Sequence, residues 1–402
     1  MIDFRAKGFP ALDAPLDPAM VGAQGWSLFD GRFLLPALAI RESALDHNIA
    51  LLAGWTAERG ISFAPHGKTT MAPGIFRRQL AAGAWAMTLA TAWQARVAAQ
   101  SGVPRILIAN EVADPGSIAW VASTLDAGPE VWCFVDSVAG VELLSRGVAG
   151  RSRPLPVLVE IGLAGGRTGV RDRDAALVVA RAAAAAPGLR VAGVAFFEGI
   201  VEGEPDEKRA KVDGLIALVR DVATEIVPLV AAGGGTEIVL TGGGSAFPHV
   251  VTDALVPPIP GPLPTRAVLR SGASVTHDHG GYDPVSPFGS NGIPGWPRLR
   301  AALEVWAPVL SVPDPGRAIV GAGKRDLSHD GPPPPVIATR RADGVRRPVS
   351  RRGAGHHAAQ RPACVSRAGH GPGAGGRRPR GHRGAPRLHG DGPLALGAAG
   401  RR

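Results

Sequence analysis

A lysine, a histidine, an arginine and two glycine-rich turns each follow a short apolar run in this chain. His66 and Lys68 follow the run Ile61–Pro65, and Arg167 lies in a Gly-Gly-Arg-Thr-Gly turn. A second turn reads Thr-Gly-Gly-Gly-Ser and ends at Ser245. A lysine amine can form a Schiff base with an aldehyde when desolvation lowers its pKa, and glycine-rich turns offer backbone N–H groups to a phosphate. Together they indicate a site for pyridoxal phosphate, which carries both groups.

Each of these features also has a simpler interpretation. A lysine at a strand end is usually a solvated charge, and Thr-Gly-Gly-Gly-Ser is usually only a turn. The turn around Arg167 is not a P-loop, because it lacks the Gly-Lys-Ser/Thr ending. Arg167 and Glu160 could form a structural ion pair, and the His-Asp-His run at His277–His279 fits either a polar loop or a metal site. The chemical interpretation is favoured because the features follow successive apolar runs in order.

Eight short apolar runs alternate with alanine-rich stretches, a pattern typical of parallel βαβ units. The predicted strands are Ile61–Pro65, Trp85–Ala90, Arg105–Asn110, Val131–Asp136, Pro156–Ile161, Val191–Phe197, Glu237–Thr241 and Arg266–Arg270. The predicted helices are Ala72–Gly83, Thr91–Ser101, Asp136–Arg146, Asp172–Ala186 and Asp206–Ala232. Eight units predict an α/β fold of the (β/α)8 TIM-barrel type, with a doubly wound open sheet as the alternative. In the barrel, the features above lie at the carboxyl ends of the strands, where such folds carry their sites.

Strand-like segments flank the predicted barrel on both sides. Leu34–Arg41 precedes it, and Ala302–Val309 and Arg317–Val320 follow it. They predict a second, β-rich domain assembled from both ends of the chain. The predicted domains are an N-terminal segment (1–45), the barrel (46–290), the start of the β domain (291–330, joined by 30–45) and a tail (331–402). Because the strand pattern stops where the tail begins, we expect the β domain to be incomplete.

The net charge of +10 is due to the tail. Residues 331–402 contain 15 Arg, no Lys, two acids, 15 Gly and 10 Pro, and no Phe, Tyr or Trp. The other 330 residues carry 29 basic and 32 acidic residues, so the body of the protein is close to neutral. The tail cannot bury enough apolar surface to offset chain entropy, and it is predicted to be disordered. Its composition is typical of a GC-rich gene read out of frame near residues 326–336; a genuine basic arm that binds nucleic acid or an anionic surface is the alternative.

The cysteine content and the N-terminus bear on where the protein works. Two cysteines, Cys133 and Cys364, exclude a disulfide framework and a cysteine-rich zinc site. The first residues lack the charged and then apolar pattern of a signal peptide, and no run of about 18 apolar residues predicts a membrane span. We therefore expect a cytoplasmic protein without a membrane partner.

Five blocks of the sequence resemble the fold-type III pyridoxal-phosphate enzymes, and among these the D-serine dehydratase and D-threonine aldolase group, often labelled amino acid deaminase. The blocks are FAPHGKTTM (63–71), VEIGLAGGRTGVR (159–171), FFEG (196–199), LTGGGSAF (240–247) and LRSGASVTHDHGGY (269–282). The resemblance runs from about residue 25 to residue 328, and it implies an alanine-racemase-like barrel with a β domain.

The resemblance also implies roles for individual residues. Lys68 would hold the cofactor and remove the substrate Cα proton, with His66 beside it. Arg167 would lie near the cofactor ring and the lysine, and Tyr282 would flank the substrate. The implied phosphate-binding residues are Gly243, Gly244, Ser245, Gly272 and Ala273.

The implied activity is that of a lyase acting on β-hydroxy D-amino acids. Loss of the β-hydroxyl would give a 2-oxo acid and ammonia, whereas Cα–Cβ cleavage would give glycine and an aldehyde. A divalent metal, Zn²⁺ or Mn²⁺, would polarise the β-hydroxyl, but the family's C-terminal block of His and Cys or Asp ligands has no counterpart after Asp330. His356, His357 and Cys364 stand in different surroundings, so no metal ligand is assigned. The resemblance further implies a homodimer.

Two other functions stay open. A racemase on the same fold needs a second base, commonly a tyrosine of the β domain, and Tyr282 is the only tyrosine in the chain. A non-catalytic protein with a nucleic-acid-binding arm would bind through residues 331–402, and that binding would weaken steeply with salt. Nucleic acid is therefore a partner only if the basic tail is genuine.

Overall fold

The chain forms two compact units. A computed structural model describes residues 1–315, 317–327, 334–340, 345–348, 354–357, 364–367 and 393–397. The barrel unit contains residues 46–275 and 285–299. The β unit contains residues 1–45, 276–284 and the described residues from Arg300 onward. These limits differ from the predicted barrel of 46–290, because residues 276–284 belong to the β unit.

The described residues form the following elements. The strands are β1 (Ala37–Ile40), β2 (Ser62–Phe63), β3 (Met87–Leu89), β4 (Arg105–Glu111), β5 (Glu130–Val135), β6 (Leu155–Ile161), β7 (Leu189–Phe196), β8 (Ile238–Gly242), β9 (Thr265–Leu269), β10 (Leu303–Asp314), β11 (Arg317–Val320), β12 (Val336–Arg340), β13 (Arg346–Pro348), β14 (Ala354–His357), β15 (Cys364–Arg367) and β16 (Pro393–Gly397). The α-helices are α1 (Glu42–Glu58), α2 (Pro73–Ala81), α3 (Ala92–Gln100), α4 (Pro115–Asp126), α5 (Val138–Val148), α6 (Arg173–Ala185), α7 (Pro205–Ala232) and α8 (Pro248–Leu255).

Strands β2 to β9 form a closed parallel barrel. Their order is β2-β9-β8-β7-β6-β5-β4-β3, and each neighbouring pair in that order is parallel. The ring closes between β2 and β3 through a parallel bridge of His66 with Thr88 and a hydrogen bond from the Trp85 amide to the Phe63 carbonyl, 2.7 Å long. The predicted TIM-type barrel is therefore confirmed, and the open sheet is not formed.

Small and large apolar side chains alternate in the barrel interior, so that it is filled rather than hollow. The interior cluster includes Ala64, Leu107, Phe134, Leu158 and Val268. A larger cluster packs the outer faces of the strands against the helices. Such double-sided burial explains why each strand reads as a continuous apolar run.

Four helices begin at a side chain that caps the first turn. The side chains of Thr91, Asp114, Ser137 and Asp172 each accept a hydrogen bond from the backbone N–H three residues later. These caps satisfy N–H groups that have no partner within the helix and set where the helix starts after the preceding strand.

The β unit combines segments from both ends of the chain. β1 pairs with β10 in antiparallel register, with Ala37 opposite Trp306, and β10 pairs with β11 and β16. The buried carboxylate of Glu304 accepts hydrogen bonds from Trp306 Nε1 and Arg346, each 3.1 Å long. Where the structure describes the segment predicted as a tail, it forms β12 to β16. The prediction of disorder for the other residues of 331–402 lies outside the described residues.

None of the described helices is long and apolar enough to cross a membrane.

Candidate active site

The carboxyl-terminal end of the barrel strands gathers most of the predicted site residues. We call this end the barrel mouth; it is marked by Lys68, Arg167, Glu198, Ser245 and Arg270. Each of these residues lies at or just after the end of a barrel strand. Since all eight strands are parallel and the barrel is closed, these strand ends ring a single opening.

A short 3-10 turn after β2 carries the lysine. The turn spans Gly67–Thr69, and the Thr69 hydroxyl donates to the His66 carbonyl over 3.3 Å. A Cβ at Gly67 would lie 2.7 Å from the Phe76 ring, so only glycine fits directly before Lys68. Packing of the turn against α2 thereby fixes the backbone from which Lys68 projects.

The pKa of Lys68 is lowered from its ordinary value. Partial burial of the side chain is the main cause, followed by the positive charges of Arg167 and Arg270, although the residue keeps an exposed surface. The pKa of His66 lies well below its usual value, first because of burial and then because of the charge of Lys68. His66 is therefore neutral at physiological pH, and its buried Nδ1 has no hydrogen-bond partner among the described residues.

The glycine-rich turn after β8 packs against the turn after β9. Gly243 has φ +93°, and a Cβ there would lie 2.3 Å from Leu269 Cδ1, so this position requires glycine. The hydroxyls of Ser245 and Ser271 lie 3.2 Å apart and share a hydrogen bond. Gly272 and Ala273 lead into the 3-10 turn Ala273–Val275. The two turns thus bring the predicted phosphate-binding residues together.

Two of those predicted phosphate donors already have an acceptor. The amides of Gly243 and Gly244 donate to the carboxylate of Glu198 over 3.2 Å and 2.6 Å. Glu198 follows β7 and is fully buried, and burial raises the pKa of its carboxyl. Glu198 lies in the block FFEG (196–199), but no role was predicted for it from the sequence.

Arg167 lies in the loop after β6, with its guanidinium 4.8 Å from the centre of the Phe197 ring. The alternative interpretation, an ion pair with Glu160, is not found among the described residues, and Glu160 Oε2 is buried there without a hydrogen-bond partner. The amide of Gly169 donates to Asp136 over 3.0 Å, which ties the loop to the end of β5. Arg167 is thus held beside the mouth by a ring contact and stays exposed.

Arg270 is a buried cation that the sequence reading did not assign to the site. It lies after β9, only 6% exposed, with its guanidinium donating to the Phe196 carbonyl and lying 5.2 Å from the centre of the Phe134 ring. Burial lowers its pKa to about 10, while Glu160 and Glu198 oppose that shift. Its Nε is buried without a partner among the described residues. The sequence signal that could have identified Arg270 is its position directly after an apolar barrel strand.

A pair of acidic side chains also went unassigned. Glu111 ends β4, and Glu160 lies near the end of β6. Burial, and then the charge of Glu160, raise the pKa of Glu111 to about 8. Two carboxyls this close in a buried setting cannot both ionise readily, so Glu111 holds a proton at neutral pH.

The remaining predicted residue, Tyr282, belongs to the β unit. Its amide donates to the Asp278 carboxylate over 2.9 Å, and the amides of Gly280 and Gly281 donate to the same group. His277 pairs with Asp283 over 3.2 Å. The His277–His279 run is thus part of a loop closed by Asp278.

No metal ligand was assigned from the sequence. The described residues contain no group of three or more His, Cys, Asp or Glu arranged to hold a metal ion. His356, His357 and Cys364 lie in β14 and β15, whose side chains are outside what the structure describes.

Two family models match the chain. The one described as alanine racemase, N-terminal domain, matches residues 40–250, just over half of the chain. The one described as putative serine dehydratase domain matches residues 302–370. The second match includes strands of the β unit and extends into the segment predicted as a tail.

Two curated relatives are similar in sequence. The 3-hydroxy-D-aspartate aldolase of Paracoccus denitrificans (strain Pd 1222) is 29% identical over 209 residues, which are 50% of this chain and 54% of that protein. The D-threonine aldolase of Arthrobacter sp. is 26% identical over 303 residues, which are 75% of each chain. The chain thus spans about half the length of the first relative and three quarters of the second.

Solved structures share the fold. The D-threonine aldolase from Filomicrobium marinum has a TM-score of 0.69 at 24% identity, over 92% of this chain and 88% of that one. The D-threo-3-hydroxyaspartate dehydratase from Delftia sp. HT23 has a TM-score of 0.65 at 22% identity, over 91% and 90%. At these identities the likeness shows the fold alone.

Proposed function

We propose, because the chain belongs to the family of the alanine racemase N-terminal domain, that it is a pyridoxal-phosphate-dependent lyase acting on β-hydroxy D-amino acids. The observation that carries the proposal is Lys68 at the barrel mouth, with a lowered pKa and an exposed surface. A lysine with a lowered pKa is more often unprotonated near neutral pH and can then attack an aldehyde. The names of the two curated relatives, both aldolases, support the lyase class.

The barrel mouth offers hydrogen-bond donors and positive charges that suit pyridoxal phosphate. A side chain at Gly243 or Gly272 would collide with Leu269 or His66, so glycine at these positions lets the turns at the mouth pack closely. The hydroxyls of Ser245 and Ser271 can rotate from each other toward a phosphate oxygen. Arg270 Nε is a buried donor left without a partner among the described residues. The positive charges at the mouth complement the anionic cofactor.

The chemistry divides between the cofactor and the protein. When bound, pyridoxal phosphate draws electrons from the substrate Cα and makes its proton acidic. Lys68 would hold the cofactor through Nζ, and the same amine would accept the Cα proton of the substrate. That step needs a neutral amine, which the lowered pKa of Lys68 favours. His66 remains neutral beside it and adds no further positive charge.

Two lyase reactions are compatible with this site, and they differ in which bond to the substrate breaks. Loss of the Cα proton and the β-hydroxyl as water, followed by uptake of one water, would give a 2-oxo acid and ammonia. Removal of the β-hydroxyl proton with cleavage of the Cα–Cβ bond, followed by return of a proton to Cα, would give glycine and an aldehyde. The divalent metal that the resemblance implies has no ligand set among the described residues, and the proposal assigns it no residue.

The first test is an absorbance titration of the full chain with pyridoxal phosphate. We expect a visible band from lysine-bound cofactor in the wild type and in Lys324→Ala, which removes an exposed lysine. Lys68→Ala should lose the band while keeping its far-UV circular dichroism. An unchanged band in Lys68→Ala would refute the assignment of the lysine.

The second test identifies the reaction. The loaded protein is incubated with D-serine, D-threonine or D-3-hydroxyaspartate, and the products are assayed as 2-oxo acid and ammonia, or as glycine and aldehyde. Formation of L-serine from D-serine would instead support the racemase alternative. A protein that binds the cofactor but converts none of these substrates would overturn the lyase proposal.

A further inference from the structure

Glu198 has an unusual position for a carboxylate. It is completely buried at the end of β7, yet it accepts hydrogen bonds from two consecutive backbone amides of the turn after β8. The contact to Gly244 is 2.6 Å long, a length typical of strong hydrogen bonds to an ionised acceptor. Buried carboxylates are retained only where such bonds offset their desolvation.

These bonds limit what the two amides can do. A backbone N–H donates to one acceptor, so the amides of Gly243 and Gly244 are satisfied without a ligand. A phosphate could take them only by stripping a fully buried carboxylate of both its donors, which is strongly unfavourable. The donors that remain near this turn include the hydroxyls of Ser245 and Ser271, the backbone at Gly272 and Ala273, and the Nε of Arg270.

We propose that Glu198 is a positioning residue for the cofactor phosphate, which holds the amides of Gly243 and Gly244 and thereby sets the place of the Ser245 hydroxyl. The inference rests on the proposed function. The 2.6 Å bond to the Gly244 amide fixes the Gly243–Gly244 peptide, and Ser245 is the next residue along the chain. The left-handed backbone at Gly243 and its contact with Leu269 fix the other side of the turn.

Arg270, which follows β9, is the charged group that interacts electrostatically with Glu198, and β8 lies between β9 and β7 in the barrel. Each of the two charges alters the pKa of the other, and the Arg270 amide also donates to the Gly242 carbonyl over 3.1 Å. Glu198 therefore links the phosphate turn to the buried cation of the mouth. Its role acts through the turn and not through contact with the substrate.

The test compares pyridoxal phosphate with pyridoxal, which lacks the phosphate. Glu198→Gln keeps the size of the side chain, but its amide offers one acceptor where two amides need one each. We expect it to weaken pyridoxal phosphate binding roughly tenfold to a hundredfold, as for the loss of a charge-assisted hydrogen bond, and to change pyridoxal binding by no more than about twofold. Glu202→Gln, an exposed carboxylate with the same charge change, is the control and should behave as wild type.

Other outcomes would overturn the inference. Equal losses for both ligands would mean that Glu198 only supports the fold, and tighter binding of pyridoxal phosphate would mean that its carboxylate competes with the phosphate. Glu198→Asp retracts the carboxylate by one methylene but keeps the charge. It should lie between wild type and Glu198→Gln, and wild-type affinity would show that the charge acts without the hydrogen bonds.

A separate measurement keeps the inference apart from the proposed function. If the wild type bound neither ligand, the cofactor proposal would fail, but the hydrogen bonds could still be measured in the free protein. Amide exchange of Gly243 and Gly244 should be slow in the wild type and much faster in Glu198→Gln. Equal exchange in both proteins would refute the hold of Glu198 on the turn.

Discussion

Gly272→Ala should destabilise the barrel unit and weaken cofactor binding together. Gly272 lies at the end of β9, and a Cβ there would lie 2.5 Å from the His66 carbonyl oxygen and 2.6 Å from the His66 Cβ. Both separations are shorter than real Cβ contacts, and one of them is to backbone, which cannot rotate away. The ends of β2 and β9 would therefore have to separate, and Lys68 would move with β2.

The size of the effect follows from overpacking. Inserting one methyl group into a contact of this kind costs about 1–3 kcal/mol. In a unit of this size, that loss lowers the unfolding temperature by roughly 2–12 °C. The cost is steric, because Gly272 does not have the left-handed backbone that would add strain to any side chain.

Gly54→Ala is the matched control. Gly54 lies inside α1, and a Cβ there would have no other heavy atom within 4 Å. Alanine is favoured over glycine in a helix interior, so this variant should gain about 0.5–1 kcal/mol. The same chemical change is thus expected to have opposite signs at the two positions.

Urea unfolding followed by circular dichroism measures the free energy of unfolding. Titration with pyridoxal phosphate measures the affinity for the cofactor. Gly272→Ala should lower the unfolding midpoint and the cofactor affinity. A midpoint equal to that of wild type would refute the tight contact between the two strand ends. A lower midpoint with unchanged affinity would refute its importance for the site.

Two further predictions concern protons and charge. Glu111→Gln should be more stable than wild type at alkaline pH and similar in acid, as urea unfolding at several pH values would show. The reason is that the pKa of Glu111 is raised from 4.5 to about 8 in the folded chain, so wild-type stability falls between these two pH values, by at most about 1.4 kcal/mol per pH unit, and the loss is complete above pH 8. Equal slopes in both proteins would contradict this reasoning. If residues 331–402 are a genuine nucleic-acid-binding arm, a gel shift of nucleic acid by the full chain should weaken steeply with salt. The shift should vanish when the chain ends at residue 330. The absence of any shift at low salt would refute the nucleic-acid-binding function.

The eight barrel strands could be predicted because each is buried on both faces and so forms a continuous apolar run. Three helices were missed for different reasons. α8 has only eight residues, too few for a clear period, and α1 crosses the predicted border between two domains. α4 is signalled by a capping aspartate, Asp114, followed by Pro115. This start signal was missed because helices were predicted from the pattern of apolar and alanine residues.

The site could be predicted only as far as residue types follow strand ends. Lys68, Arg167 and Ser245 could be proposed as site residues because each follows an apolar run or lies within a glycine-rich turn. The contact between Glu198 and the Gly243 amide depends instead on the register of β7 and β8, in which Val194 lies opposite Leu240. No local pattern encodes that register, so the partner of a buried carboxylate is not readable from the sequence.

The charges at the barrel mouth show why an anionic ligand suits it. Lys68, Arg167 and Arg270 lie close enough for their charges to lower the pKa of one another or of His66. Part of the free energy of the unliganded barrel is therefore mutual repulsion between cations in a partly desolvated space. A phosphate group placed among them relieves that repulsion, so ligand binding and barrel stability must rise together. Under the proposed function, the same relief would favour the protonated amine of Lys68, and the arginines that would attract the phosphate are also the groups that lower the pKa of that amine.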